Sequence, residues 1–123
     1  MKFSQDLNQA TYKITAQEDQ RIRVNNQWQT QSFIITPNAL VEHWSVPHIQ
    51  SLQANDCTTL LAHQPEVVIL GTGQRQHFPE PVILKQFIQQ NIGVEIMNTA
   101  AACRTFNILV GEGRHVVAGI ILD

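Results

Sequence analysis

Hydrophobic positions follow two different patterns along this chain of 123 residues. From Tyr12 they alternate, Tyr12, Ile14, Ala16 and then Ile22, Val24, which predicts two half-buried strands joined through the polar segment Gln17 to Gln20. Asn25-Asn26 supplies the next turn. Trp28 with the run Ser32 to Thr36 reads as a third strand, stopped by Pro37-Asn38, where proline presets φ for a tight turn. Ahead of these, Phe3 and Leu7 stand among polar residues without a period, so residues 1–11 are expected to form an arm laid over the surface. Ala39 to Gln53 follows neither period and is expected to be loop with a short strand, pinned to the core by the large apolar indole of Trp44.

After Gln53 the pattern becomes alternating helix and strand. Asn55 or Asp56 can cap a helix over Cys57 to His63, with Pro65 just past its end. Glu66-Val-Val-Ile-Leu70 is an apolar, β-branched run of strand length, the mark of a strand covered on both faces, and Gly71-Thr72-Gly73 ends it. Pro79-Glu80-Pro81 opens a second helix with the apolar stripe Ile83, Leu84, Phe87 and Ile88, closed by Gly93 as a left-handed residue. Val94 to Met97 is a short strand, Asn98 or Thr99 caps a third helix ending at Gly111 or Gly113, and Arg114 to Leu122 is the last strand. The expected order is β-β-β and then α-β-α-β-α-β, a single α/β domain over residues 1–123.

Composition narrows the function classes. With 43% hydrophobic and 15% charged residues the chain can fill one core and is not a disordered tail. A net charge of -2, a pI near 6.2 and eight scattered Lys and Arg give no basic stripe, so no nucleic-acid partner is expected. Apolar runs are too short to cross a bilayer, and the start leads into neither a signal peptide nor a transit sequence, so a cytoplasmic protein that is not transmembrane is expected. Cys57 and Cys103 are then free thiols. The five histidines sit on separate elements without metal-ligand spacing, so no metal and no cofactor are expected. A third glycine for a dinucleotide fingerprint is replaced by Gln76, and neither a P-loop nor a nucleophile elbow is present.

The chemistry that remains is topological. The strand at 66–70 passes through a helix into the strand at 94–97, a right-handed parallel unit. Gly71, Thr72 and Gly73 then share with Met97-Asn98-Thr99 a crevice beyond the carboxyl ends of the strands, where open α/β sheets bind ligands. At about 100° per residue, Ala102, Cys103, Phe106, Leu109 and Val110 form the buried face of the third helix, with Arg104 and Asn107 on the other side. Arg104 near the helix N-terminus, with hydroxyls from Thr99 or Thr105, suits a small anion such as phosphate or carboxylate. The structural alternative pairs Arg104 with Glu95 or Glu112, and Glu95 with Arg104 or Arg114.

Pro65-Glu-Val-Val-Ile-Leu-Gly-Thr-Gly73, Gly93-Val-Glu-Ile-Met-Asn-Thr99, Ala102-Cys-Arg-Thr-Phe-Asn107 and Glu112-Gly-Arg114 resemble, in order and spacing, the family called domain of unknown function 498, which includes the mitochondrial assembly factor 3 of respiratory complex I. The resemblance covers about half the chain. It implies a three-layer α/β fold with a mixed central sheet flanked by helices and an N-terminal antiparallel β unit. It also implies protein partners in respiratory-complex assembly and no established reaction. The family's motif positions fall on Gly71, Gly73, Glu95, Met97, Thr99, Cys103, Arg104, Thr105, Asn107 and Arg114, and Asn98 stands where many relatives have an acidic residue. No residue is assigned a catalytic role. The expected function is a non-enzymatic assembly or interaction protein using the surface near the crevice. The alternative is a small anionic-ligand-binding protein or an enzyme using Cys103, Arg104 and Glu95.

Overall fold

The computed structural model describes residues 10–123, and the arm expected over residues 1–11 lies almost wholly outside them. Three strands, β1 (Ile14–Glu18), β2 (Arg21–Val24) and β3 (Gln27–Gln29), form an antiparallel sheet in chain order. Gln20 and Asn25 adopt positive φ of 65° and 54°, which makes the two connections tight. Arg21 lies 3.8 Å over the Trp28 ring and also pairs with Glu18 at 2.8 Å, stiffening the β1–β2 hairpin.

The single third strand expected from Trp28 through Thr36 is two strands in two sheets. Trp28 stays in β3, whose side chains grade from exposed to buried. By contrast, Phe33, Ile34 and Ile35 of β4 (Phe33–Ile35) are all buried. Three consecutive apolar residues need cover on both faces, which the small sheet does not offer. β4 therefore joins a second sheet of order β5-β4-β8-β6-β7, built with β5 (Leu40–Val41), β6 (Val67–Gly71), β7 (Gly93–Met97) and β8 (Val116–Ile120). β6 runs parallel to both β7 and β8, while β4 is antiparallel to β8 and β5, so the sheet is mixed as expected.

Helices α1 (Ala54–Leu61), α2 (Lys85–Gln89) and α3 (Thr99–Gly111) complete three layers. The two faces of the central sheet are read from β6 by alternation. Val67 and Ile69 pack with Ile14, Ile22, Ala102 and Phe106, under α3 and the small sheet. Val68 and Leu70 pack with Trp44, Cys57, Leu60 and Phe87, under α1 and α2. Trp44 pins its loop as expected: a Cβ on Gly119 would stand 2.6 Å from the ring, so β8 needs a residue without a side chain there.

Helix ends depart from expectation in three places. α1 starts at Ala54, earlier than expected, so Gln53 is the cap and Asp56 closes a capping box, its carboxylate accepting the Gln53 N–H at 2.9 Å. The second helix is a 3₁₀ turn over Pro81–Leu84 followed by the short α2, too short to bury its whole stripe: Phe87 is buried and Ile88 is 69% exposed. Because α2 ends at Gln89, Asn91 takes the left-handed position with φ 57°, and Gly93 opens β7. Asn98 is the cap of α3, its side chain accepting from the Ala101 N–H at 2.8 Å. No helix among the described residues is long and apolar enough to cross a membrane.

Candidate functional site at the carboxyl ends of the parallel strands

The parallel register aligns Gly71 with Met97 on one side and with Ile120 on the other, so three strand ends open onto one corner. Chain segments leaving that corner are stitched together. Thr72 N–H donates to the Met97 carbonyl at 2.9 Å, Thr99 N–H to the Gly73 carbonyl at 2.8 Å, and Ile121 N–H to the Gly71 carbonyl at 2.9 Å. The buried Thr99 hydroxyl accepts from Gly73 N–H at 2.9 Å and donates to the Ile121 carbonyl at 2.7 Å. The Thr72 hydroxyl donates to the Arg75 carbonyl and accepts from His77 N–H at 3.2 Å. A Cβ on Gly71 would meet the Ala102 Cβ at 3.0 Å and the Thr99 Cα at 3.3 Å, so glycine here lets α3 lie against the sheet, and Gly73 carries the positive φ of 98° that turns the chain.

Beside this corner lies a crevice of about 360 Å³ between the β1–β2 turn, the start of α3 and the residues after β8. Glu18, Asp19 and Asp123 line it, and among the described residues no Lys or Arg does. Sequence reading missed these carboxylates. A signal existed only in hindsight of topology: once β8 is parallel to β6, residues following it must reach the same corner.

The remaining candidate residues separate. Cys103 is 1% exposed, and burial pushes its thiol up to about 12, the Arg104 guanidinium pulling only partly the other way. It stays a thiol at neutral pH, unsuited to nucleophilic work in this conformation. Arg104 is exposed, forms no salt bridge with Glu95 or Glu112 among the described residues, and borders a small hollow of about 140 Å³ against β1. Thr105 is half-buried on the same helix. Asn107 spans the β1 edge: its amide donates to the Ile14 carbonyl at 2.7 Å and its oxygen accepts from the Ile14 N–H at 3.2 Å. Glu95 is exposed in the middle of β7. Arg114 precedes β8 and sits 3.8 Å from Glu66 at the amino ends of the strands, a strand length of roughly 16 Å from the corner. The structure thus brings Gly71, Thr72, Gly73 and Thr99 together, sets Cys103 and Arg104 about one helical turn further on and Asn107 about two, and leaves Glu95 and Arg114 apart.

The family model described as protein of unknown function (DUF498/DUF598) matches residues 14–121. The chain belongs to that family. Among relatives of this DUF498/DUF598 member, a 13 kDa major membrane protein of Francisella tularensis subsp. holarctica is 36% identical over 62% of this chain and 62% of its own. The NADH dehydrogenase (ubiquinone) 1 alpha subcomplex assembly factor 3 of Xenopus tropicalis is 34% identical over 71% of this chain and 48% of its own. The chain therefore spans about three-fifths of the first relative and about half of the second. A crystal structure of a Bordetella parapertussis protein matches with a TM-score of 0.86 at 34% identity, covering 91% of this chain and 96% of that one. The family resemblance and the three-layer α/β fold read from the sequence both stand.

Proposed function

We propose that this chain is a non-enzymatic assembly or interaction protein that works through a protein partner in the building of a respiratory complex. One observation carries the reading: the polar groups at the strand ends are engaged with one another, Thr99 with Gly73 and Ile121, and Thr72 with Arg75 and His77. A corner saturated in this way works as a joint. The name of the Xenopus relative supplies the direction of the proposal. A cytoplasmic setting belongs to the proposal too, against the membrane-protein name of the Francisella relative, and fractionation of the native cell separates the two.

Anion binding, the alternative, draws support from exposed Arg104 and opposition from the crevice, whose Glu18, Asp19 and Asp123 repel an anion at the start of α3. The deciding experiment removes the gene from a cell that makes complex I and measures the assembled complex on native gels. Assembly is expected to fall and to recover with the wild-type chain; an unchanged amount overturns the reading. Alongside it, phosphate and small carboxylates are expected to leave thermal stability unchanged. A ligand at about a hundred times its Kd would add about 2.7 kcal/mol, and such a gain, lost in Arg104→Ala, would install the anion reading instead.

A further inference from the structure

β7 is the outer strand of the central sheet, paired with β6 and with no other strand among the described residues. Successive residues of a strand turn their backbone groups to opposite sides. The Met97 carbonyl accepts from Thr72 at the end of β6, so Met97, Glu95 and Gly93 face β6, and Val94 and Ile96 direct their N–H and C=O groups outward. Gln76 confirms the direction, its side-chain amide donating to the Ile96 carbonyl at 2.9 Å as the N–H of a neighbouring strand would. The Val94 groups and the Ile96 N–H have no such partner among the described residues.

The side chains around this edge are also unfinished. Val94 and Ile96 are half-buried together with Ile83, Leu84 and Ile92 at the fringe of the core under α2, and Ile88 is 69% exposed on α2. Proteins guard open edges with proline, bulges or charge. β7 has an unbroken register over all five residues, no proline, and Glu95 as its sole charge. Glu95 is exposed and forms no salt bridge among the described residues.

Glu95 also selects the occupant. A two-fold antiparallel pairing of β7 with a second copy that uses its five residues sets Glu95 against its own copy, and like charges directly opposite destabilise a sheet. A segment carrying Lys or Arg at that position gains where the second copy loses. We propose that β7 accepts an extended segment of a partner polypeptide as an added strand, with apolar residues over Val94 and Ile96 and a Lys or Arg of the partner opposite Glu95. The inference rests on the assembly reading above and names the surface through which it works.

The test uses the whole chain and two synthetic peptides of alternating valine, isoleucine and threonine, identical except for a central lysine or glutamate. Amide hydrogen exchange and fluorescence anisotropy are read together. The lysine peptide is expected to bind about five-fold or more tighter than the glutamate peptide and to slow exchange at the Val94 and Ile96 amides. Glu95→Lys, an exposed change, is expected to reverse that preference. Val94→Pro, which removes an outward N–H, is expected to abolish binding while circular dichroism reports a folded chain. Equal binding of both peptides, protection elsewhere, or a concentration-dependent dimer by sedimentation would overturn the proposal. In the gene-deletion cell the two readings fail separately: assembly that never depends on the chain removes the assembly reading. Assembly that depends on the chain yet tolerates both Glu95→Lys and Val94→Pro removes only the edge.

Discussion

The two sides of β6 end differently. At its carboxyl end every segment is tied to another, with one Thr99 hydroxyl serving both the Gly73 N–H and the Ile121 carbonyl. Along its β7 flank, among the described residues, the sheet stops at a five-residue strand whose outward groups meet one glutamine amide. In the small sheet, by contrast, Asn107 satisfies both the N–H and the C=O of Ile14 and so ties the start of the β1 edge to α3. Satisfied buried polar groups make a corner rigid and specific. An edge with open backbone groups stays available to another chain.

Thr99→Val keeps the shape but strands the Gly73 N–H and the Ile121 carbonyl in the core, and it should lower stability by about 3 kcal/mol in urea unfolding. A loss well below 1 kcal/mol would mean the corner is less closed than the geometry states. The buried thiols give a pH signature. Burial raises Cys103 to about 12 and Cys57 to about 11, the latter also through the Asp56 charge, whereas both ionise near their ordinary value of 9.0 once unfolded. The unfolded chain then loses protons that the folded chain keeps, so stability is full below pH 9 and falls as pH rises through the window above it, by up to about 1.4 kcal/mol per pH unit for each thiol. Cys103→Ala should flatten that slope in denaturation series run at successive pH values.

Asn107→Ala should cost about 1 kcal/mol and speed exchange at the Ile14 amide, freeing the start of β1 as the outward groups of β7 are free. Glu95→Lys should change the melting transition least, within about 0.5 kcal/mol, because its side chain is exposed and unpaired among the described residues. A large loss there would show β7 to be tied down after all.

The elements easiest to read in the sequence are those whose local chemistry allows one outcome. The run Val67 to Leu70 reads as a covered strand, and the cap of α3 narrows to Asn98 or Thr99, of which the structure takes Asn98, its side-chain oxygen meeting the Ala101 N–H. The candidate site was harder. The parallel unit put the loops at Gly71 to Gly73 and Met97 to Thr99 at one corner, as the register has them, whereas the family's motif positions also included Arg114, which strand direction puts at the far end beside Glu66. Asn107 looked like a ligand-facing polar residue because nothing local says that β1 lies against α3.

The sequence by itself determined the alternation of β1 and β2, the buried strand β6, the parallel βαβ unit and the family, since each depends on residues close in the chain or on a fixed spacing of motifs. Only the tertiary structure decided that β4 leaves the first sheet to pair with β8, that Glu18, Asp19 and Asp123 share a crevice, and that β7 is the outer strand among the described residues. These depend on which strands become neighbours. Neighbouring is settled by where apolar faces find cover across the whole fold, and no single stretch of the chain holds that information.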